Sequence, residues 1–112
     1  MSIPINYIEF KSTNLEETKH FYSEAFGWTF TDYGPTYTAF SDSGVEGGFE
    51  FTEETICNGA LVVLHHENLE AVKEKVLDLG AKISVDIFSF PGGQRFQFLD
   101  PSGNELAIWS ED

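Results

Sequence analysis
A chain of 112 residues, 41% hydrophobic and 15% aromatic with eleven Phe, is one domain's worth of sequence, able to bury roughly two thirds of its unfolded surface and unlike a disordered tail. Six Lys and Arg stand against 19 Asp and Glu, a formal net charge of -13; this field repels phosphate backbones and anionic lipid, so nucleic acid and membrane are not expected partners, whereas a cationic ligand is favoured. No apolar run approaches the ~20 residues of a membrane span, the amino terminus lacks a leader pattern, and the single Cys57 permits no internal disulfide, which together lead to the expectation of a soluble cytoplasmic protein.

In chain order, IPINYIEF (3–10) reads as a first strand. NLEETK (14–19) then opens a helix, with Asn14 as N-cap or, one residue earlier, Thr13 with Glu16 as a capping box. Leu15, Thr18, Tyr22, Ala25 and Phe26 carry the helical period, and Gly27 ends it. WTFTDY (28–33), TYTAFS (36–41) and VEGGFEF (45–51) follow as three strand-like stretches.

The same order then returns. ALVVLHH (60–66) is a strand, and NLEAVK (68–73) repeats four of the six letters of NLEETK in a helix running through Leu69, Val72, Val76 and Leu79 to Gly80. KISVDIF (82–88), QRFQFL (94–99) and NELAIWS (104–110) close the chain as strands. TAFSDSG (38–44) is answered by FQFLDPSG (96–103), with Phe40, Asp42 and Gly44 matching Phe98, Asp100 and Gly103 once Pro101 is allowed as an insertion. One helix protects only one face of a sheet, so duplication is a way to cover the rest. The expected fold class is α+β: two tandem βαβββ modules forming a curved, cleft-enclosing mixed sheet with the helices outside. All 112 residues make a single domain in this reading, with module one at about 1–52, a polar joint at about 53–59 within TEETICNG, and module two at about 60–112.

The paired halves, the helix ending HFYSEAFGW and the segment PGGQRFQFLDPSGNELAIW resemble the vicinal oxygen chelate superfamily, which holds glyoxalase I, bleomycin-resistance proteins and extradiol dioxygenases; the likeness is to its small bacterial glyoxalase-like proteins. The resemblance covers nearly the whole chain. It implies a ligand cleft and a homodimer, but not one activity, because the superfamily contains isomerases, lyases, oxygenases and binding proteins. It also implies where a metal would sit. The family's metalloenzymes hold one divalent cation with His and Glu from the first and last strand of each half. Here the corresponding positions read Tyr7, Gly48, Leu61 and Ala107, with Glu50 one pleat further along, so neither a metal nor another cofactor is expected.

Strand alternation indicates what the cleft contains instead. With Tyr7 inward, Ile5 and Glu9 follow; Leu61 brings Val63 and His65; Arg95 and Gln97 face inward if Phe96 and Phe98 are core; and Glu105, Ala107 and Trp109 oppose Leu106 and Ile108. The candidate ligand-binding set is therefore Tyr7, Glu9, Glu50, His65, Arg95, Gln97, Glu105 and Trp109, with Glu9 and Glu50 as candidate general bases. Each has a plainer alternative. Glu9 can form a structural salt bridge with Arg95, Tyr7 and Trp109 can be packing, and adjacent His65 and His66 point to opposite faces, as expected of a strand end near the surface. Two functions remain. One is a small-molecule binding protein of the bleomycin-resistance kind for a flat or cationic compound; the other is a glyoxalase-like isomerase or lyase on a small oxygenated substrate with a Glu as base. Glyoxalase I proper is disfavoured, because it needs the metal to stabilise an enediolate.

Overall fold
The computed structural model describes residues 1–112 and divides them into two compact units, Met1–Ile56 and Cys57–Asp112. No helix is long and apolar enough to cross a membrane.

The first unit runs β1 (Tyr7–Ser12), α1 (Leu15–Phe26), β2 (Thr29–Asp32), β3 (Tyr37–Ser41) and β4 (Glu46–Phe51). Its four strands form a mixed sheet in the order β1-β4-β3-β2, with β1 parallel to β4 and the others antiparallel. Asn14 caps α1 by accepting a hydrogen bond from the Glu17 amide at 3.0 Å, so the later of the two expected starts is the real one. Gly27, at φ 75°, ends the helix in the left-handed conformation that costs glycine nothing. The buried face of α1 sets Phe21 and Tyr22 against the sheet, where Trp28, Phe40 and Phe49 complete an aromatic core; Tyr22 stacks on Trp28 at 4.8 Å between centroids and meets Phe49 at 5.0 Å.

The second unit repeats the plan as β5 (Val62–His65), α2 (Leu69–Asp78), β6 (Lys82–Phe90), β7 (Gly93–Leu99) and β8 (Glu105–Glu111), in the sheet order β5-β8-β7-β6 with β5 parallel to β8. Asn68 caps α2 through the Ala71 amide, and Gly80 at φ 98° follows its end. Here the core is mainly aliphatic: Leu69, Val72, Val76, Leu106 and Ile108, with Phe96 and Phe98. The DPSGN turn is held by Asp100, which is buried and accepts the backbone amides of Ser102, Gly103 and Asn104.

The α+β class and the tandem βαβββ order are as expected, and strand pairing is confined to each module, giving one four-stranded mixed sheet apiece. Two strand limits differ. Residues before Tyr7 pair with nothing, because β4 begins only at Glu46, opposite Tyr7; Ile5, expected to share the inward face with Tyr7, lies outside the sheet and is exposed. Leu61 likewise precedes β5. The β6–β7 hairpin is also tighter than expected: Gly93 is the first residue of β7, and only Pro91 and Gly92 turn the chain.

Candidate functional site
Residues directly opposite one another on paired strands point to the same side, so the registers show what each sheet presents away from its helix. In module one, Tyr7 opposes Glu46, Glu9 opposes Gly48, and Lys11 opposes Glu50; on the other side of β4, Tyr37 opposes Glu50 and Ala39 opposes Gly48. The alternate set, Phe10, Thr38, Phe40 and Phe49, belongs to the helix side, where Phe10 stacks on Phe49 at 5.2 Å. Tyr7, Glu9 and Glu50 therefore share the open face.

Two arrangements organise that face. Glu50 is ion-paired with Lys11 while both remain about half exposed, and hydrogen bonding to Glu50 is the main reason the Lys11 ammonium is held above its ordinary pKa. Tyr37 lies flat over Gly48: a Cβ there would overlap the Tyr37 hydroxyl and ring. The Tyr7 and Tyr37 hydroxyls meet at 2.5 Å, and Glu9 stands in register opposite the Gly48 that Tyr37 covers. Burial, then the Tyr7 hydrogen bond and the Glu9 carboxylate, push the Tyr37 phenol well above its ordinary 10.0, so it is a neutral hydroxyl at any physiological pH. Beside it a recess of about 650 Å³ is lined by Tyr7, Thr31, Tyr33, Tyr37 and Glu46.

In module two, Val63 opposes Ala107, His65 and Arg95 both oppose Trp109, Gln97 opposes Ala107, and Phe88 opposes Arg95. His65, Arg95, Gln97, Glu105 and Trp109 thus share the open face of the second sheet, as strand alternation implied. Glu105 accepts hydrogen bonds from Ser84 at 2.7 Å and Gln97 at 3.1 Å. His65 Nε2 is 2.6 Å from Glu111 Oε1, and its ring meets Trp109 edge-on at 5.0 Å. This hydrogen bond from His65 is the leading cause that lowers the Glu111 carboxyl pKa. His66 turns the other way and accepts the Asn68 amide with Nδ1, so the two histidines do not act together.

Arg95 pairs with no carboxylate of its own module; its guanidinium carbon stands 5.3 Å from the Phe88 ring centroid. Sequence reasoning missed Tyr37, Lys11, Glu46, Phe88 and Glu111. The signal for Tyr37 was present, since TAFSDSG and FQFLDPSG place it where Arg95 stands, and the parity that turned Arg95 inward turns Tyr37 inward too.

The family model for the glyoxalase/bleomycin resistance protein/dioxygenase superfamily matches residues 5–108. The chain belongs to that superfamily. A glyoxylase-like domain-containing protein of Didymella fabae is 34% identical to this glyoxalase-superfamily chain, over 93% of the chain and 91% of the relative. Among solved structures, the genomically encoded fosfomycin resistance protein of Listeria monocytogenes superposes with a TM-score of 0.84 at 13% identity, covering 100% of this chain and 96% of that one. A glyoxalase/bleomycin resistance protein/dioxygenase family enzyme of Burkholderia phytofirmans gives 0.83 at 14% identity, covering 96% and 98%. An antibiotic binding protein of a Streptomyces species gives 0.73 at 17% identity, covering 100% and 99%. At these identities the structures share the fold.

The divalent ion of the superfamily's metalloenzymes does not fit the residues present. Gly48 has no donor and its space is filled by the Tyr37 phenol, Ala107 is wholly buried, Leu61 offers no donor, and the Tyr7 hydroxyl is committed to Tyr37. No group of three or more His, Cys, Asp or Glu side chains is gathered elsewhere.

Proposed function
We propose that this chain is a small-molecule binding protein of the glyoxalase/bleomycin-resistance type, which holds a flat, preferably cationic compound on the open face of module one without a metal ion. The observation that carries the reading is the Tyr37 phenol lying over Gly48. A neutral hydroxyl, hydrogen-bonded to Tyr7 and with Glu9 in register opposite Gly48, stands where the superfamily's metal would need a ligand, so the face offers π-surface and carboxylate rather than Lewis acidity. Tyr7, Tyr33 and Tyr37 with Glu46 line a recess of about 650 Å³, within the range of small-ligand sites. The overall charge of -13 favours a cation. The resistance and antibiotic-binding names of two structural relatives accord with this reading. His65, Arg95, Gln97, Glu105 and Trp109 form the corresponding face of module two. The single-domain reading of residues 1–112, a cytoplasmic location and a homodimer belong to the same proposal; edge strands β1, β2, β5 and β6 are the surfaces through which chains would associate.

The test is thermal stabilisation by N-methylquinolinium against its uncharged counterpart quinoline, since a ligand selective for the folded state raises Tm by mass action. The cation should stabilise more strongly, and Glu9→Gln should remove that preference while elemental analysis finds no stoichiometric Zn, Ni, Mn or Fe. Equal response to both compounds, or about one such metal per chain after dialysis, would overturn the proposal. Sedimentation at micromolar concentration should give twice the mass of one chain.

A second reading has its own observation. Glu9 lies opposite the Gly48 that the neutral Tyr37 phenol covers, and a carboxylate near a phenol suits a general base with a hydrogen-bond donor in an isomerase or lyase. Glu50 is less suited to that role, because it is engaged in an ion pair with Lys11. Turnover abolished by Glu9→Gln with ligand affinity retained would favour the enzyme over the binding protein.

A further inference from the structure
Arg95 is the one Arg of the chain, and no Asp or Glu of its own module pairs with it. Three of the five Lys, by contrast, are in ion pairs: Lys11, Lys19 and Lys73. The half-buried side chain is nonetheless held in place. It stands on the open face of β7 between Phe88 of β6 and Trp109 of β8, both directly opposite it in register, with the guanidinium over the Phe88 ring. Its Nε is buried without any hydrogen-bond partner, the one side-chain N or O atom of the protein in that condition. An unmet buried donor is a cost that folded chains usually avoid, and where one persists a functional demand is a physical reason for it. The terminal nitrogens are not sealed in the same way, so the outward edge of the guanidinium keeps its donor pair.

The neighbouring carboxylates do not compete for that edge. Glu105 is occupied by Gln97 and Ser84, and Glu111 by His65. The surroundings are flat and apolar: Phe88 and Val85 are more than a third exposed, and Trp109 is half-buried, with Phe90 packed 6.4 Å away. A planar fork of N–H donors set among aromatic rings matches one ligand chemistry, a planar or tetrahedral oxyanion carried on an aromatic ring: the oxygens take the fork in a bidentate pair and the ring covers Phe88 and Trp109. We propose that the open face of module two is a binding site for an aromatic oxyanion, an aryl carboxylate or aryl phosphonate, with Arg95 as its anchor. The residues that argue for it all belong to module two, so the inference does not rest on the reading of module one.

Benzoate, phenylphosphonate and the neutral isostere benzamide are the probes, titrated into the full-length protein at about 0.15 M salt, where long-range repulsion from the acidic surface is largely screened. Chemical shifts of the Trp109 indole N–H and of the Phe88 and Arg95 amides are followed by NMR. At least one oxyanion should bind with a Kd on the order of 1 mM, roughly tenfold or more tighter than benzamide, and should move the Trp109 indole signal while leaving the buried Trp28 signal in place. Relative affinities of benzoate and phenylphosphonate then say which oxyanion the fork prefers. Arg95→Gln, folded by circular dichroism, should lose about tenfold or more of that affinity, and Arg95→Lys should recover only part of it, because it restores the charge but not the planar fork. The probes and the variants differ from those used on module one, which keeps this outcome apart from that test. The inference is overturned if benzamide binds as well as the oxyanions, if neither oxyanion moves the Trp109 indole signal, or if folded Arg95→Gln binds them as tightly as the unmodified protein.

Discussion

Strands β4 and β8 hold the same place in their sheets, each parallel to the first strand of its module and antiparallel to the third, yet one carries Gly47–Gly48 where the other carries Leu106–Ala107. The difference is one of bulk moved across a strand pair. In module one the aromatic residues of β3 reach over bare backbone: Phe40 takes the space above Gly47 on the helix side, and Tyr37 that above Gly48 on the open side. In module two, Leu106 and Ala107 fill their own positions and are fully buried, and the β7 residue matching Tyr37 is Arg95, whose guanidinium lies over Phe88 instead. One backbone plan thus yields an aromatic core with a tyrosine-covered open face, and an aliphatic core with an open cation. Duplication fixes the topology, while small-against-large complementarity between neighbouring strands decides what each face presents.

Exchanging the two residues is the harshest way to break that comparison. Leu106→Gly empties a fully buried position and adds glycine's entropy cost, so urea unfolding should show a loss of about 3–6 kcal/mol. Gly47→Leu should cost about 3 kcal/mol or more, because its Cβ would overlap the Ile8 carbonyl oxygen as well as the Phe40 ring, and the former cannot rotate away. If Gly47→Leu were neutral, Phe40 would not be packed on that glycine.

Gly48→Ala probes the open face with a smaller effect. The three atoms nearest its Cβ all belong to the Tyr37 side chain, so a loss of about 1–3 kcal/mol is expected as that ring is pushed aside. In a Tyr37→Ala background the same substitution should cost much less. Additive losses in the double-mutant cycle would show that the two residues do not share that space.

Tyr37 supplies a gentler test of the same face. Its folded pKa is raised above 10.0, chiefly by burial, so the stabilisation is intact below pH 10, where both states hold the proton; above it the unfolded chain ionises first, and stability falls as pH rises toward the folded value. A tyrosinate titration followed near the ultraviolet edge should show a late step, and Tyr37→Phe should lower the amplitude of that step by one phenol. A single step shared by all tyrosines would mean that Tyr37 is solvated.

Much of this was legible because a repeat reports its own structure. The capped helices at Asn14 and Asn68, the glycine stops and the alternation of QRFQFL and NELAIWS were enough to place Arg95, Gln97, Glu105 and Trp109 on one face. What escaped depends on distances along the chain that alternation does not encode. The Lys11–Glu50 pair follows from the parallel register of β1 on β4, which joins residues 39 apart. Phe88 stands beside Arg95 because β6 slips register between Ile83 and Val85 and again between Val85 and Phe88, which brings both Val85 and Phe88 opposite open-face residues; strict alternation puts them on opposite faces. The collapse of Tyr37 onto Gly48 needs the third dimension altogether.

One repeated feature was visible in the letters and still went unread. Lys19 of α1 pairs with Asp32 of β2, and Lys73 of α2 pairs with Asp86 of β6, the partners being 13 positions apart in each case. Both modules thus tie the outward side of the helix to the following strand in the same way, and here the two halves should behave alike where their β4 and β8 strands differ. The hydrogen bond from Lys is the first cause that lowers each Asp below 3.8, so the contribution is present above the ordinary carboxylate range and lost as pH falls through the folded value. Because both carboxylates are mostly exposed, the effect is the smallest of those considered and should weaken further in high salt. Asp32→Asn and Asp86→Asn should each reduce the acid-limb decline of stability below about pH 4 by a similar small amount, measured by urea midpoints across the acid range. A marked inequality between the two would show that the repeated pair has been kept for its energy in one module and merely for its geometry in the other.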